Sequence, residues 1–283
     1  MKDMNSMESK SKSLSIQLAD IRKVFSRGTV DEVRALNGID LDIYKGDFIT
    51  VIGSNGAGKS TLLNVIAGVF PPERGGRIII NGKDVTDLPE YKKAAHVGRV
   101  WQQPEVGTAR NLSIEENLSM AMLRGKKRTL RKAVNRTRRE TFGESLTPLG
   151  LGLEKRLTAL VGTLSGGQRQ ALSLVMATLS RPTILLLDEH IATLDPRTAE
   201  KVLQLTDMVI QKDRMTSMMV THNMEVALKY GNRLIMMHKG KKVVYIGRKE
   251  KKTLGIDDLV RAFERAAGEQ FKDDSILLSD REC

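Results

Sequence analysis

The sequence predicts an α/β fold on a mainly parallel sheet, and three observations predict it. Strand-like and helix-like runs alternate on both sides of a helical middle block. The run Ile184 to Leu187 is apolar at every position, as in a strand covered on both faces. A strand also passes directly into a glycine-rich loop that opens a helix at Lys59.

Taken in order, Ser15 to Val24, Leu36 to Ile43 and Phe48 to Ile52 are apolar and β-branched runs that read as strands, with Gly46 and Asp47 turning the chain into the third. Lys59 to Ala67 has helical spacing. Asn81-Gly82, set between Arg77 to Ile80 and Lys83 to Val85, is a hairpin signal. His96 to Gln102 reads as a short strand, after which helix formers prevail through about Val161. Ser113-Ile114-Glu115-Glu116 is a capping box that places Ile114, Leu118, Ala121 and Met122 on one helix face. We expect a helical subdomain at residues 105–162, inserted into an α/β core. The core resumes with a helix after Gly166, a strand at Thr183 to Leu187 and a helix from Arg197. Strands at Ser217 to Thr221 and Arg233 to His238 follow, and Gly240 turns the chain into Lys242 to Ile246. The expected boundaries are a flexible tail at 1–13, one α/β domain at 14–247 and a short extension at 248–283. No internal repeat is visible, so one such domain is expected per chain.

With 283 residues and 40% hydrophobic content, the chain can bury a substantial core, which excludes overall disorder. The lone cysteine, Cys283, cannot form a disulfide framework or a multi-cysteine metal site within one chain. No run approaches the roughly 20 apolar residues of a membrane-spanning helix, and the polar start lacks the apolar core of a signal peptide. The net charge of +12 is concentrated: Arg124 to Arg139 holds nine Lys or Arg and no acid, leaving about +3 elsewhere. That run reads as a solvated helix face, with anionic lipid headgroups or nucleic acid as the alternatives.

Gly53-Ser54-Asn55-Gly56-Ala57-Gly58-Lys59-Ser60 fits the phosphate-binding loop pattern of Gly, four residues, Gly, Lys and Ser or Thr. Its glycines let backbone N–H groups converge on phosphate oxygens, and the following helix directs its positive end at the same anion. Lys59 is expected on the β- and γ-phosphates, Ser60 on Mg²⁺ and Thr61 on the α-phosphate. Asp188 closes an apolar strand, so it arrives at the sheet edge where ligands sit and is the candidate to hold Mg²⁺ through water. Glu189 beside it is the candidate to polarise the attacking water or accept its proton.

Between these two elements lies Leu164-Ser165-Gly166-Gly167-Gln168. On this ordered set the chain resembles the ATP-binding-cassette (ABC) ATPases along nearly its whole length. The resemblance implies their fold: a P-loop core with a mainly parallel sheet, an N-terminal antiparallel β subdomain and an inserted helical subdomain. It implies further site residues. Gln102, in Trp101-Gln102-Gln103-Pro104, matches the Q-loop glutamine that reaches Mg²⁺ and the nucleophile; Gln103 is the rival, but the family places Pro two positions after the functional residue. His222, in Thr221-His222-Asn223, matches the switch histidine on the γ-phosphate, and Asp195 the D-loop aspartate at a dimer interface. Phe25 matches the aromatic that stacks on adenine, although the polar stretch Ser26 to Val33 is longer than in many members. His190 departs from the commoner Pro after the catalytic Glu and is assigned no role.

In the resembled family, Ser165, Gly166, Gly167 and Gln168 contact the γ-phosphate held by an opposite subunit, which implies a homodimer or cassette pair around two ATP. Transport through a separate membrane permease, with the chain on the cytoplasmic membrane face, is the leading reading. An extracellular solute-binding protein is then an indirect partner, and no nucleic acid is expected. The absence of a membrane segment in this chain favours importer-type organisation. The alternative is a mechanical ATPase on DNA or ribosomes, whose long heptad arms, zinc cysteines and paired cassettes are missing here. A phosphotransferase is opposed by Ser165 to Gln168. Segments from Leu164, Leu187 and Thr221 resemble most closely a bacterial amino-acid uptake group associated with tryptophan and tyrosine transport, with branched-chain amino acids or another small polar solute as rivals.

Overall fold

The computed structural model describes residues 13–126 and 133–267. Residues 1–12 of the tail expected at 1–13, the centre of the basic run, the end of the C-terminal extension and Cys283 lie outside the described residues. The elements are β1 (Leu14–Phe25), β2 (Val33–Tyr44), β3 (Phe48–Gly53), α1 (Lys59–Ala67), β4 (Arg77–Ile80), β5 (Lys83–Asp84), α2 (Glu90–Lys93), β6 (Val97–Val100), α3 (Pro104–Gly107), α4 (Ile114–Met122) and α5 (Arg136–Leu146). Three single 3₁₀ turns at Thr147–Leu149, Leu153–Lys155 and Val161–Thr163 lead to α6 (Gly166–Thr178) and β7 (Ile184–Asp188). Then come α7 (Pro196–Asp213), β8 (Ser217–Val220), α8 (Met224–Lys229), β9 (Arg233–His238), β10 (Lys241–Ile246), α9 (Arg248–Lys251) and α10 (Ile256–Ala267). The chain divides into two units, one running to Leu88 and resuming at Arg214, the other spanning Pro89–Asp213.

In the first unit β1, β2, β4 and β5 form an antiparallel sheet in the order β2-β1-β4-β5. The polar stretch after Phe25 is a hairpin loop, because Phe25 pairs with Val33 and the Thr29 N–H donates to the Ser26 carbonyl at 3.1 Å. Strand β3 is buried at every position and pairs in parallel with both β8 and β9, while β10 runs antiparallel to β9. This arrangement needs a run apolar on both faces, which Phe48 to Ile52 supplies. Helices α8 and α10 cover part of it, with Met224, Ala227, Leu259 and Phe263 packed around Ile52, Leu234 and Met236.

In the second unit β6 and β7 pair in parallel, from Val97 opposite Ile184 to Val100 opposite Leu187. Ile114, Leu118 and Ala121 of α4 pack with Phe142 and Leu146 of α5 and with Ala171, Leu172, Val175 and Met176 of α6. The core of the helical block thus continues into α6. Ser113 and Glu116 form the capping box reciprocally: Glu116 N–H donates to Ser113 Oγ at 3.3 Å, and Ser113 N–H donates to Glu116 Oε2 at 2.7 Å. Part of the basic run has local partners, since Arg139 forms two hydrogen bonds to Glu115 at 2.6 and 2.9 Å and Arg136 pairs with Glu140.

Candidate functional site

Strand β3 delivers the glycine loop. Gly53 has φ +150°, and a Cβ there would lie 2.2 Å from the Met237 carbonyl oxygen. Gly58 has φ +94°, and its Cβ would lie 2.2 Å from the Ala35 carbonyl oxygen. No other residue fits either position, so the loop takes a path that only glycine permits. The Ala57 N–H closes the turn on the Ser54 carbonyl at 3.2 Å, with Asn55 and Gly56 exposed at its tip. Gly58 is the N-cap of α1 and brings no side-chain cap, so the positive end of the helix meets the loop without a side chain in between. Lys59 is buried, and its ammonium donates to the Gly53 and Ser54 carbonyls at 2.7 and 3.0 Å, which folds the cation over the loop mouth. A helix N-terminus, a glycine turn and a folded-back ammonium in one place suit the chemistry of a polyphosphate.

The neighbouring strand β8 brings His222 to the same sheet edge, because Val220 aligns with Val51 and the Thr221 N–H donates to the Val51 carbonyl at 3.1 Å. Asn223 follows as the N-cap of α8, its side chain accepting from the Val226 N–H at 2.9 Å. Phe25 closes the end of β1 and meets Phe70 edge-on at 5.1 Å between ring centres, with the Lys23 ammonium within 6 Å of both rings.

In the second unit, parallel pairing puts the end of β6 beside the end of β7, so Gln102 and the Asp188-Glu189 pair leave the sheet from adjacent strands. Gln102 is exposed, while Gln103 is the N-cap of α3 with Pro104 at its first position. Asp188 receives a hydrogen bond from Arg99 Nη2 at 3.0 Å, with side chains 13% and 8% exposed respectively. Burial pulls the Arg99 guanidinium below its ordinary value, and the Asp188 charge opposes the shift. Glu189 adopts φ +43°, a left-handed conformation that is strained for a residue other than glycine and that concentrates at functional positions. Among the described residues no three His, Cys, Asp or Glu side chains gather. The Asp188 carboxylate at the end of β7 is a hard oxygen donor that suits Mg²⁺, which keeps waters and takes phosphate oxygens alongside one or two protein ligands.

Ser165 and Gln168 cap each other at the start of α6. Gln168 N–H donates to Ser165 Oγ at 3.3 Å, and Ser165 N–H donates to Gln168 Oε1 at 3.1 Å. Gly166 is exposed, whereas Gly167 faces α7, where a Cβ would lie 2.4 Å from Thr198 Cγ2. Gly167→Ala is therefore expected to cost roughly 1–3 kcal/mol by overpacking. Thr198→Ser, which removes that methyl, should restore the melting temperature of the nucleotide-free double variant. Asp195 caps α7 by accepting from the Thr198 N–H at 3.1 Å, and its hydrogen bonds with Thr198 hold its carboxyl below the ordinary value.

Sequence reasoning missed four residues here. Arg169 is buried and bonds Glu105 of α3 and the Leu164 carbonyl, and Gln170 donates to the Trp101 carbonyl at 3.0 Å. Together they tie the start of α6 to the Gln102 loop. The available signal was a pair of polar residues on the buried side of an otherwise apolar helix. Arg99 and Trp101 carried no pattern that marks a site.

Residues 36–192 match the family model described as ABC transporter. The chain is 42% identical over 251 residues to a tyrosine transport ATP-binding protein of Clostridioides difficile strain R20291, covering 89% of this chain and 99% of that protein. It is 35% identical to the methionine import ATP-binding protein MetN 2 of Enterococcus faecalis, covering 80% of this chain and 63% of that longer protein. Among solved structures it is similar to an ATP-binding cassette seen as a dimer in a post-hydrolysis state with ADP and Pi. That likeness has a TM-score of 0.70 and 28% identity, covering 82% of this chain and 98% of that one.

Proposed function

Because this chain belongs to the ABC transporter family as an ATP-binding, ATP-hydrolysing subunit, we propose that it pairs with a second cassette around two ATP and drives amino-acid import through a separate permease at the cytoplasmic membrane face. The match to a tyrosine transport ATP-binding protein, over 89% of this chain, supports the solute class, and tyrosine or a related aromatic amino acid is the favoured cargo. Among the described residues no helix is long and apolar enough to cross a membrane. An extracellular binding protein would act through that permease.

The proposed roles follow from the chemistry of each group. Gly53 to Thr61 hold the phosphates through backbone N–H groups, with Lys59 leaving its loop carbonyls for the β- and γ-oxygens. Phe25 offers a ring face to adenine. Ser60 and Asp188, with Gln102, hold Mg²⁺, which when bound neutralises developing phosphate charge. Glu189 takes the proton of the attacking water, and His222 contacts the γ-phosphate. Ser165, Gly166, Gly167 and Gln168, at the start of α6, present donors to the nucleotide of the opposite subunit, and Asp195 lies along that interface.

The test is purification of the tagged chain from a detergent extract of native membranes, followed by reconstitution with whatever multi-span protein accompanies it. ATP hydrolysis stimulated by tyrosine or tryptophan, with the binding protein present, is the expected result. Stimulation by branched-chain amino acids alone would reassign the solute, and recovery of ribosomes or DNA in place of a membrane protein would overturn the transport reading.

A further inference from the structure

We propose that Arg99 is a built-in counter-ion of Asp188 that the metal displaces, and that its release is felt at Trp101 and so at the loop carrying Gln102. The proposal rests on the reading that Asp188 holds Mg²⁺. A single arginine lies inside the short, largely buried strand β6. Arg99 aligns with Leu186 of β7, and residues two apart on a strand share a face, so its side chain reaches forward to Asp188. The contact is an ion pair at 3.0 Å with both side chains largely buried. A buried carboxylate at a strand end is costly unless a cation or hydrogen bonds satisfy it, and Arg99 supplies such a cation.

The Asp188 bond uses an edge of the guanidinium, and a face of the same group is occupied as well. Its carbon lies 3.4 Å from the centre of the Trp101 ring, a stacking that only a flat cation can make. Trp101 is held through its carbonyl by buried Gln170, and the next residue is Gln102. Arg99 therefore touches the carboxylate assigned to the metal on one side and the start of the Gln102 loop on the other.

A hydrated divalent cation drawn to Asp188 competes for the carboxylate that Arg99 engages and repels the guanidinium. Metal binding must then weaken the ion pair, and the free energy of breaking it is subtracted from metal affinity. The stack on Trp101 changes as the guanidinium loses its anchor. A Lys in place of Arg99 keeps the charge but loses the flat stack, which separates the two halves of the proposal.

Trp101 is the only tryptophan in the chain, so its fluorescence reads this contact without a label. The experiment follows Trp101 emission in ADP-loaded protein as Mg²⁺ is titrated from zero, and measures Mn²⁺ affinity for the same complex by electron paramagnetic resonance. The wild type should show an emission change on adding Mg²⁺ beyond that caused by ADP with chelator. Arg99→Leu should abolish that change and tighten Mn²⁺ binding by about tenfold, the scale of one charge coupling. Arg99→Lys should lose the emission change while keeping Mn²⁺ affinity near the wild-type value. Asp188→Asn tests the underlying reading: ordinary Mn²⁺ affinity in that variant would remove Asp188 as a metal holder. If Asp188→Asn weakens Mn²⁺ but Arg99→Leu leaves affinity and emission as in the wild type, the counter-ion role alone is overturned. Should Arg99→Leu fail to fold, a wild-type emission that does not respond to Mg²⁺ is enough to reject the proposal.

Discussion

Replacing Glu189 by Gln is expected to lower ATP hydrolysis by roughly 10²–10⁴-fold, the range of a lost general base, while nucleotide affinity changes little. Glutamine has the shape of glutamate and cannot accept the water proton, so the variant isolates chemistry from packing. The position supports the role in two ways. Glu189 follows the last residue of the wholly buried strand β7, and its φ of +43° bends the chain away from strand geometry at that point. Such strain persists only where the surroundings determine it, and the Ala192 N–H, which donates to the Glu189 carbonyl at 3.0 Å, contributes to holding the bend. With hydrolysis blocked, ATP should accumulate in the complex and favour the two-cassette form in size-exclusion chromatography. Hydrolysis at the wild-type rate would reject Glu189 as the base. Loss of ATP binding together with turnover would point to a structural role for the carboxylate.

Much of the fold is legible because strong local signals agree with tertiary demands. Lys59 to Ala67 is helical at the residues its spacing marks, since Gly58 and Gly68 take left-handed conformations at its two ends. Ile184 to Leu187 is a strand because its length and its apolar side chains suit burial on both faces. The block after Gln102 is harder to read. Its helix formers suggest longer helices, yet Pro148, Gly150 and Gly152 leave only 3₁₀ turns between α5 and α6. Site residues with backbone signatures, such as Gly53 and Gly58, announce themselves by residue type. Arg99 does not, because a buried ion pair needs a partner 89 positions away that no local pattern supplies. Ser165, Gln168 and Asp195 also serve as helix caps, so their residue types answer to local structure as well as to any ligand.

Acidification of the nucleotide-free protein in chelator should reveal His190, a residue with no role in the family pattern, as a source of pH-dependent stability. His190 is 1% exposed, and its Nε2 lies 3.1 Å from the Thr206 hydroxyl oxygen. That hydroxyl has one proton and donates it to the Val202 carbonyl at 2.8 Å, so toward His190 it accepts, and Nε2 carries the imidazole proton. Nδ1 then bears the lone pair and has no hydrogen-bond partner among the described residues. A second proton would enter there as a buried charge without an acceptor, and burial accordingly pushes the His190 pKa down to about 4. The unfolded chain takes up this proton near pH 6.5 and the folded one only near 4. Between those values the unfolded state binds more protons, so stability falls as pH falls, by about 3 kcal/mol across the whole interval. Urea unfolding at pH 7 and pH 5 checks the prediction in a range where most carboxylates remain ionised. His190→Leu keeps the site apolar, leaves the Thr206 to Val202 hydrogen bond in place and should flatten the difference between the two pH values. An unchanged pH slope in that variant would assign the acid sensitivity to other groups and return His190 to the status of an ordinary core side chain.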